Sequence, residues 1–350
     1  MSDLGKVDRE FFDEYIYPNL GAEREDVRLA PQHGVDFGVI GLGSGDQSDA
    51  ADANEQVLAL ATDPVFIMPS LGFDRAAWFA FHILMSDVAV SGLSPTHLSI
   101  DLNLPAEITD EQFATVWETM HEEARELGVS VVTGHTGRYA GCNYPMVGGG
   151  TALAVGSSND LVRPDGARPD EKVIVTKGPA IEATGLLAIQ FEEILDMDEK
   201  TMEAAKERFY DMSPVEDALV AAAAGPVTAM HDATEGGIYG GLHEIARAGG
   251  VRVDVERDSV PVLDGVRETC GAFDIDPWIS ISEGTLLLTV EESGAEDVLD
   301  ALGSEGIPAA IVGETSEGEG VYFDGEAVER PERDPFWAAF EEGMAKLEEE

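Results

Sequence analysis

The sequence is poor in positive charge. It has 21 lysines and arginines, six of them lysines, against 69 aspartates and glutamates, which gives a net charge of −48. A phosphate backbone attracts proteins that offer Lys and Arg in place of its counterions, so this composition argues against nucleic-acid binding, and the same repulsion argues against an anionic membrane surface. The carboxylates are spread along the whole chain. Such a surface suits concentrated salt, where a Debye length of roughly 3 Å at 1 M screens self-repulsion.

Cysteines and long apolar runs are also scarce. Cys142 and Cys270 are the two cysteines, and they match neither a disulfide framework nor a CxxC metal or redox pair. No uninterrupted apolar run reaches the roughly 18 residues of a membrane span, and Met1–Glu10 is polar and charged. We therefore expect a soluble protein of the cytoplasm, without a signal peptide or a membrane anchor.

Apolar residues recur with helical and strand periods from end to end, which argues against a disordered chain. A length of 350 residues allows two ordinary domains, and the Asp-, Pro- and Gly-rich stretch Ser157–Glu171 predicts a boundary between domains 1–160 and 161–350. Strands and helices alternate on both sides, so the predicted fold class is α+β, with two α/β domains in tandem. The predicted helices are Arg9–Leu20, Arg75–Val90, a helix capped by Thr109 that reaches Leu127, Ile181–Leu195, Lys200–Tyr210 and Val215–Ala224, and the predicted strands include Val35–Ile40, Val57–Thr62, His97–Leu104, Val129–Thr133, Met146–Val155 and Lys172–Thr176.

Two glycine-rich segments indicate backbone geometry more than ligand binding. Gly41–Asp46 follows a strand but lacks the Lys-Ser/Thr of a P-loop and does not match GxGxxG, so we interpret it as a flexible turn before the polar insertion Gly43–Gln56. Gly148–Gly150 lies inside an apolar strand, where glycines usually mark a bulge or a close approach of two backbones.

The segment Met230–Gly237 combines a strand end, a polar turn and a helix start. Exposed N–H groups at that helix start, with Gly236 and Gly237 allowing close approach, could cradle an anion. Simple helix capping by Asp232 or Thr234 explains the same residues, and the local pattern does not decide between the two.

Three aspartates lie at the edges of apolar elements: Asp36, Asp63 and Asp87. A carboxylate in such a place needs a partner or a metal ion, because unpaired burial is costly. Converging carboxylates would form an all-oxygen Mg²⁺ site that holds nucleotide phosphates. On an acid-rich protein they could equally be helix and turn caps.

Six motifs in order resemble those of the aminoimidazole ribonucleotide synthetase (AIR synthase, PurM-like) superfamily. The resemblance is strongest to its hydrogenase-maturation branch, the HypE-like carbamoyl dehydratases. The motifs are Gly34-Val35-Asp36-Phe37-Gly38-Val39-Ile40, Thr62-Asp63, Ser86-Asp87-Val88-Ala89-Val90-Ser91-Gly92, Gly134-His135-Thr136, Asp232-Ala233-Thr234-Glu235-Gly236-Gly237 and Ser282-Glu283-Gly284-Thr285-Leu286.

The resemblance implies an N-terminal sheet domain that pairs in a homodimer, a C-terminal α/β domain, and ATP with Mg²⁺ near the dimer interface. It implies an enzyme that phosphorylates a carbamoyl, amide or similar oxygen of a small-molecule or protein-borne acceptor. Carried over by position, the metal ligands are Asp36, Asp63 and Asp87; the other nucleotide contacts are Gly134, Thr136, Thr234, Gly236 and Gly237; and the catalytic candidates are Glu283, Asp232 and His135.

The sequence departs from the family pattern in two places. His135 stands where many members have Asp, which removes a hard oxygen ligand, and no cysteine follows Cys270, whereas the maturation enzymes carry their substrate on a C-terminal cysteine. We therefore expect the acceptor to be a different molecule. Two alternatives stay open: a small-molecule kinase resembling thiamine-monophosphate kinase, and an inactive ATP-binding scaffold.

Overall fold

A computed structural model describes residues 9–43, 55–331 and 333–349, and it confirms the α+β class. In these residues one sheet has six strands in the order β1-β2-β3-β6-β4-β5, and the other has seven in the order β13-β12-β9-β11-β7-β10-β8. The strands are β1 Val27–Leu29, β2 Gly38–Gly41, β3 Gln56–Phe66, β4 His97–Pro105, β5 Ser130–Tyr139, β6 Met146–Ser157, β7 Glu171–Thr176, β8 Val227–Asp232, β9 Arg252–Val255, β10 Leu286–Glu291, β11 Ala309–Ser316, β12 Gly320–Phe323 and β13 Glu326–Val328.

Helices pack on both sheets. The α-helices are α1 Arg9–Phe11, α2 Phe73–Ala89, α3 Asp110–Glu126, α4 Ile181–Gln190, α5 Glu199–Glu207, α6 Val215–Ala224, α7 Gly237–Gly249, α8 Val266–Ala272, α9 Ala295–Ser304 and α10 Phe336–Glu349. Short 3₁₀ turns lie at Tyr17–Asn19, Pro69–Leu71, Glu192–Ile194, Arg208–Met212, Arg257–Ser259, Pro277–Ile279 and Glu292–Gly294. No helix in the described part of the chain is long and apolar enough to cross a membrane.

The N-terminal sheet buries one face. Along β3 the residues Val57, Ala59, Ala61 and Val65 are buried, and the residues between them are more exposed, so α2 covers one side of the sheet. The strand β5 lies at the edge of this sheet, where it pairs with β4 alone among the described strands, and it is exposed almost throughout.

The glycines of β6 allow close backbone approach, as predicted. Gly148 has φ of +152°, and a Cβ there would lie 1.8 Å from the main-chain oxygen of Asp101. A Cβ at Gly150 would lie 2.6 Å from Leu84 of α2. Any larger residue would therefore push β4 or α2 away from the sheet.

One apolar core joins the two halves of the chain. Phe81 and Leu84 of α2 belong to the same buried cluster as Val215 of α6 and Val298 of α9. The segment between β6 and β7 therefore connects two sheets whose helices pack together, and the boundary near residue 160 stays a prediction.

Several predicted elements have other limits. The predicted helix Arg9–Leu20 is a short α-helical turn followed by Phe12–Ile16 in π-helical form and then a 3₁₀ turn, and none of these residues is buried. The strand predicted at Val129–Thr133 extends to Tyr139 because pairing with β4 continues beyond the apolar residues. Most of the polar insertion Gly43–Gln56 and the second half of Gly41–Asp46 lie outside the described residues.

Candidate active site

Two predicted catalytic residues, Asp232 and Glu283, lie at the same end of the C-terminal sheet. Asp232 ends β8 opposite Leu286, the first residue of β10, and the Ala233 N–H donates to the Thr285 main-chain oxygen over 2.9 Å. The loop before β10 carries Glu283, whose N–H donates to the carboxylate of Glu182 over 3.2 Å. Asp232 and Glu283 are 0% and 2% exposed, so both residues are shielded from water.

Asp36 reaches the same sheet end from the N-terminal half of the chain. Its Oδ2 lies 3.4 Å from Nδ1 of His231, and Oδ1 of Asp232 lies 3.7 Å from the same nitrogen. The segment before Asp36 rests on α7, where Arg247 donates to the main-chain oxygen of His33 over 2.7 Å. In the described residues, Asp36, His231 and Asp232 form the one group of three or more metal-ligating side chains with donor atoms within 4.8 Å of one another.

A chain of charges extends from His231. Its Nε2 lies 2.6 Å from Oε2 of Glu244, and the other oxygen of Glu244 accepts an ion-pair contact from Arg330 at 2.8 Å. Burial lowers the pKa of His231, but the charge of Asp36 and the hydrogen bonds to Asp232 and Glu244 more than offset burial, so its pKa is raised well above 6.5.

The predicted phosphate turn is hydrogen-bonded within the chain. Gly236 and Gly237 have φ of +83° and +58°, and a Cβ at Gly237 would lie 2.6 Å from the Ser280 main-chain oxygen. The Gly236 N–H donates to Oδ2 of Asp334 over 2.8 Å, and the Gly237 N–H donates to the Thr234 main-chain oxygen over 3.0 Å. Phosphate contacts at Thr234, Gly236 and Gly237 stay predictions, and a contact with the Gly236 N–H requires displacement of Asp334.

Asp334 predicts a pH-dependent stability. Burial raises its pKa to about 6, against 3.8 for an ordinary aspartate, although the N–H groups of Gly236 and Phe336 donate to its oxygens. The native state therefore holds this proton more tightly than the unfolded state, and the contribution of Asp334 to the free energy of unfolding falls as pH rises from about 4 to about 6. At about 1.4 kcal/mol per pKa unit, the loss is roughly 3 kcal/mol.

Replacing Asp334 with asparagine should remove this pH-dependent loss of stability, because an asparagine side chain does not titrate. Urea unfolding of both proteins at pH 4.5 and pH 7 is the measurement. Relative to the variant, the original protein should be less stable at pH 7 than at pH 4.5, and a difference that does not change with pH would contradict the assignment.

The other two predicted metal ligands lie on facing elements of the N-terminal domain. Asp63 on β3 pairs with Gly150, and Leu84 of α2 lies over that glycine. Asp87 is three residues beyond Leu84 on the same helix. Oδ2 of Asp63 is buried and has no hydrogen-bond partner among the described residues, so it is available as an oxygen ligand.

The Gly134-His135-Thr136 motif lies apart from these aspartates. It belongs to β5, three strands from Asp63, which is about 14 Å at the usual strand spacing. His135 is exposed, and its Nε2 lies 2.5 Å from the Tyr139 hydroxyl. A Cβ at Gly134 would lie 2.4 Å from the Ile100 main-chain oxygen, so strand packing alone requires this glycine.

The donor atoms fit the magnesium implied by the fold only in part. Asp63 offers a buried carboxylate oxygen, which is the hard ligand that Mg²⁺ prefers. The group around Asp36 instead contains an imidazole nitrogen, a ligand better suited to transition metals.

Comparison with known proteins places the chain in a family. A family model described as AIR synthase related protein, N-terminal domain, matches residues 45–158, and the corresponding C-terminal domain model matches residues 168–325. Together they cover more than half of the chain. The protein belongs to the AIR synthase related family.

Individual relatives of this AIR synthase related protein agree with the assignment. Carbamoyl dehydratase HypE of Escherichia coli (strain K12) is 30% identical over 243 residues, which are 69% of this chain and 70% of that protein. The crystal structure of E. coli HypE has a TM-score of 0.69 and 26% identity, covering 84% of this chain and 93% of that one.

Two ligand-bound structures share the fold. A HypE in complex with ATP has a TM-score of 0.66 at 23% identity and covers 84% of this chain and 90% of that one. AaThiL in complex with AMPPCP and TMP also has a TM-score of 0.66, at 19% identity, and covers 85% of this chain and 89% of that one.

Three residues of the site, His231, Glu244 and Asp334, were not predicted from the sequence. His231 stands directly before Asp232 in the Asp232–Gly237 motif, so its position was a usable signal. Glu244 lies on α7, whose amphipathic pattern does not separate a buried acid from a surface one. Asp334 is 98 residues from its partner Gly236 and had no local signal.

Proposed function

We propose that this protein is an ATP-dependent, HypE-like enzyme that transfers a phosphoryl group to a carbamoyl, amide or similar oxygen. One observation carries the proposal: Asp36 and Asp232 come together around His231 at the end of the C-terminal sheet that also carries Glu283. All three acidic residues belong to motifs that resemble those of the family. Its similarity to E. coli carbamoyl dehydratase HypE, over 70% of that protein, supports the reaction class. The structure of a HypE with ATP supports the nucleotide.

The acidic side chains of the site have different roles in this proposal, according to where they lie. ATP with Mg²⁺ supplies the transferred phosphoryl group and neutralises its charge. Asp63 and Asp87 would hold the Mg²⁺ of the nucleotide on the side of the N-terminal sheet, and Asp36 would hold it where that domain meets the C-terminal sheet. Asp232 and Glu283, shielded from water, are placed to orient the acceptor and to take its proton.

The acceptor is a separate small molecule or a group carried on another protein. Burial raises the pKa of the Cys270 thiol to about 12, so this cysteine stays protonated and inside the core. It is therefore unsuited to carry a substrate as a thiolate. A solved HypE–HypF complex supports the idea that family members act with protein partners.

A homodimer would bring the Gly134-His135-Thr136 motif of one copy to the nucleotide site of the other. The edge strand β5 exposes Val131, Val132 and Tyr139, at 44%, 57% and 41%. Pairing of two such sheets would bury these side chains and present His135 and Thr136 of one copy to the nucleotide of the other. Concentrated salt would screen the repulsion between the acidic surfaces of the two copies.

Thermal unfolding in 2 M KCl with and without millimolar ATP tests the proposal. A ligand that binds only the native state must raise its stability, by about 2.7 kcal/mol at a hundred times Kd. We expect an upward shift of the melting temperature that requires Mg²⁺, together with slow release of ADP or AMP once an acceptor is present. Binding without turnover against any carbamoyl or amide acceptor would favour the scaffold instead, and no shift at saturating ATP would refute the nucleotide site.

A further inference from the structure

We infer that Asp36, His231 and Asp232 form a binding site for a first-row transition dication of the Mn²⁺ or Zn²⁺ class, which this site prefers to Mg²⁺. The inference goes beyond the proposed function, with which it shares Asp36 and Asp232, because the site forms from protein side chains without a nucleotide.

The donor positions match the size of such an ion. Metal–ligand bonds of about 2.1 Å place neighbouring ligands about 3.0–3.5 Å apart in octahedral or tetrahedral geometry. Asp36 Oδ2 and Asp232 Oδ1 lie 3.4 and 3.7 Å from Nδ1 of His231. All three donor atoms lie within 4.8 Å of one another, so a modest closing of the group would bring them onto one ion.

The surroundings of His231 are those of a metal ligand. A ligating histidine usually gives its second ring N–H to a carboxylate, which fixes the ring and raises the basicity of the ligating nitrogen. Nε2 of His231 lies 2.6 Å from Glu244, and Glu244 is held in turn by Arg330 at 2.8 Å. The histidine is 3% exposed, so its ring orientation is set by packing as well as by this contact.

The remaining neighbour of Nδ1 makes binding an exchange. Nδ1 lies 2.6 Å from the main-chain oxygen of Asp232. An ion that binds Nδ1 takes the place of the proton in that hydrogen bond, the proton leaves to solvent, and the carbonyl turns its oxygen toward the ion or away from it. The two positive charges of the entering ion are balanced by the carboxylates of Asp36 and Asp232.

The nitrogen ligand decides the choice of metal. Mg²⁺ prefers six oxygen ligands and loses its water reluctantly, whereas imidazole nitrogen binds Mn²⁺, Fe²⁺, Co²⁺ and Zn²⁺ with rising affinity. A site of one imidazole and two carboxylates is therefore selective in this order. The surface carboxylates offer Mn²⁺ only weak binding sites, because concentrated KCl screens their attraction for the ion.

Mn²⁺ alone is the probe that tests the inference. The full-length protein is stripped with EDTA and titrated with MnCl₂ in 2 M KCl, without nucleotide, while electron paramagnetic resonance counts the unbound Mn²⁺. We expect one tightly bound Mn²⁺ per chain that a hundredfold excess of Mg²⁺ does not displace. Pulsed measurements should show coupling of this Mn²⁺ to a ¹⁴N nucleus of imidazole.

Three variants complete the test, each with its fold checked by circular dichroism. His231→Gln should weaken Mn²⁺ binding at least tenfold and abolish the nitrogen coupling, and Glu244→Gln should weaken binding ten- to a hundredfold. His243→Gln is the control, because His243 lies next to Glu244 on α7 and its Nε2 lies 2.9 Å from the Val328 main-chain oxygen. It should bind Mn²⁺ as the original protein does.

Two results would overturn the inference: Mn²⁺ bound equally well by His231→Gln, or Mn²⁺ displaced by a hundredfold excess of Mg²⁺. Either result leaves the proposed function standing if ATP with Mg²⁺ still raises the melting temperature. Conversely, Mn²⁺ binding with nitrogen coupling and no response to ATP would support the metal site and refute the nucleotide site.

Discussion

Replacing Asp63 with asparagine is expected to lower ATP consumption by on the order of 100-fold. The buried Oδ2 of this aspartate has no hydrogen-bond partner among the described residues, so it is placed to bind a metal ion that neutralises the nucleotide phosphates. Asparagine keeps the shape and removes the charge. Because phosphoryl transfer depends on electrostatic positioning, loss of one charged ligand acts on the transition state directly.

The control is Asp300→Asn, which removes the same charge from the exposed face of α9 in the other domain. Release of ADP or AMP, followed with the original protein's best acceptor, is the measurement for both variants. The Asp300 variant should retain full activity. Full activity in the Asp63 variant would refute the metal role assigned to this aspartate, whereas a loss of activity with the melting temperature unchanged would support it.

Replacing Lys177 with methionine is expected to cost about 3–5 kcal/mol of stability. The ammonium group of Lys177 lies 3.0 Å from the carboxylate of Asp217 and donates to the main-chain oxygens of Asp211 and Ser213 over 3.0 and 2.8 Å. The side chains of the ion pair are 8% and 2% exposed. Removing the cation leaves Asp217 buried without its counter-charge, with the hydroxyl of Thr176 as the remaining donor at 2.6 Å.

A matched substitution is available five residues earlier in the chain. Lys172 of β7 pairs with Glu314 and Glu292 at 3.2 and 3.5 Å, but these partners are 64% and 76% exposed. Lys172→Met should therefore cost less than about 1 kcal/mol. In thermal unfolding in KCl, the melting temperature of the Lys177 variant should be lower than that of the original protein by roughly 10 °C. The melting temperature of the Lys172 variant should be almost unchanged. Equal melting temperatures for the two variants would contradict the assignment.

A double substitution tests whether the loss of stability comes from leaving one charge of the Lys177–Asp217 ion pair unpaired. Lys177→Met combined with Asp217→Leu removes both charges, and apolar replacements of a buried ion pair are often tolerated. We expect the double variant to regain part of the stability that the single variant loses. A further loss would mean that Asp217 is held mainly by Thr176 and contributes to stability without the lysine.

The sequence predicted the elements better than their limits. The helix of Arg75–Val90 and the capping of α3 by Thr109 are confirmed, because a long apolar period and a capping box are local signals. The exposed helical segment at Arg9–Asn19 has irregular geometry because it buries no residue that would hold one face inward. The length of β5 was underestimated because partner pairing, which local patterns do not show, extends it to Tyr139.

Charge, family and the motifs that carry the candidate site are determined by the sequence alone, since each depends on residue types and their local order. Only the tertiary structure decided which of those residues meet. Asp36 reaches His231 and Asp232 because two sheets pack through one shared core, and Asp334 reaches Gly236 across 98 residues of chain. Contacts of this kind depend on how distant elements pack, and the residues between them carry no periodic trace of that packing.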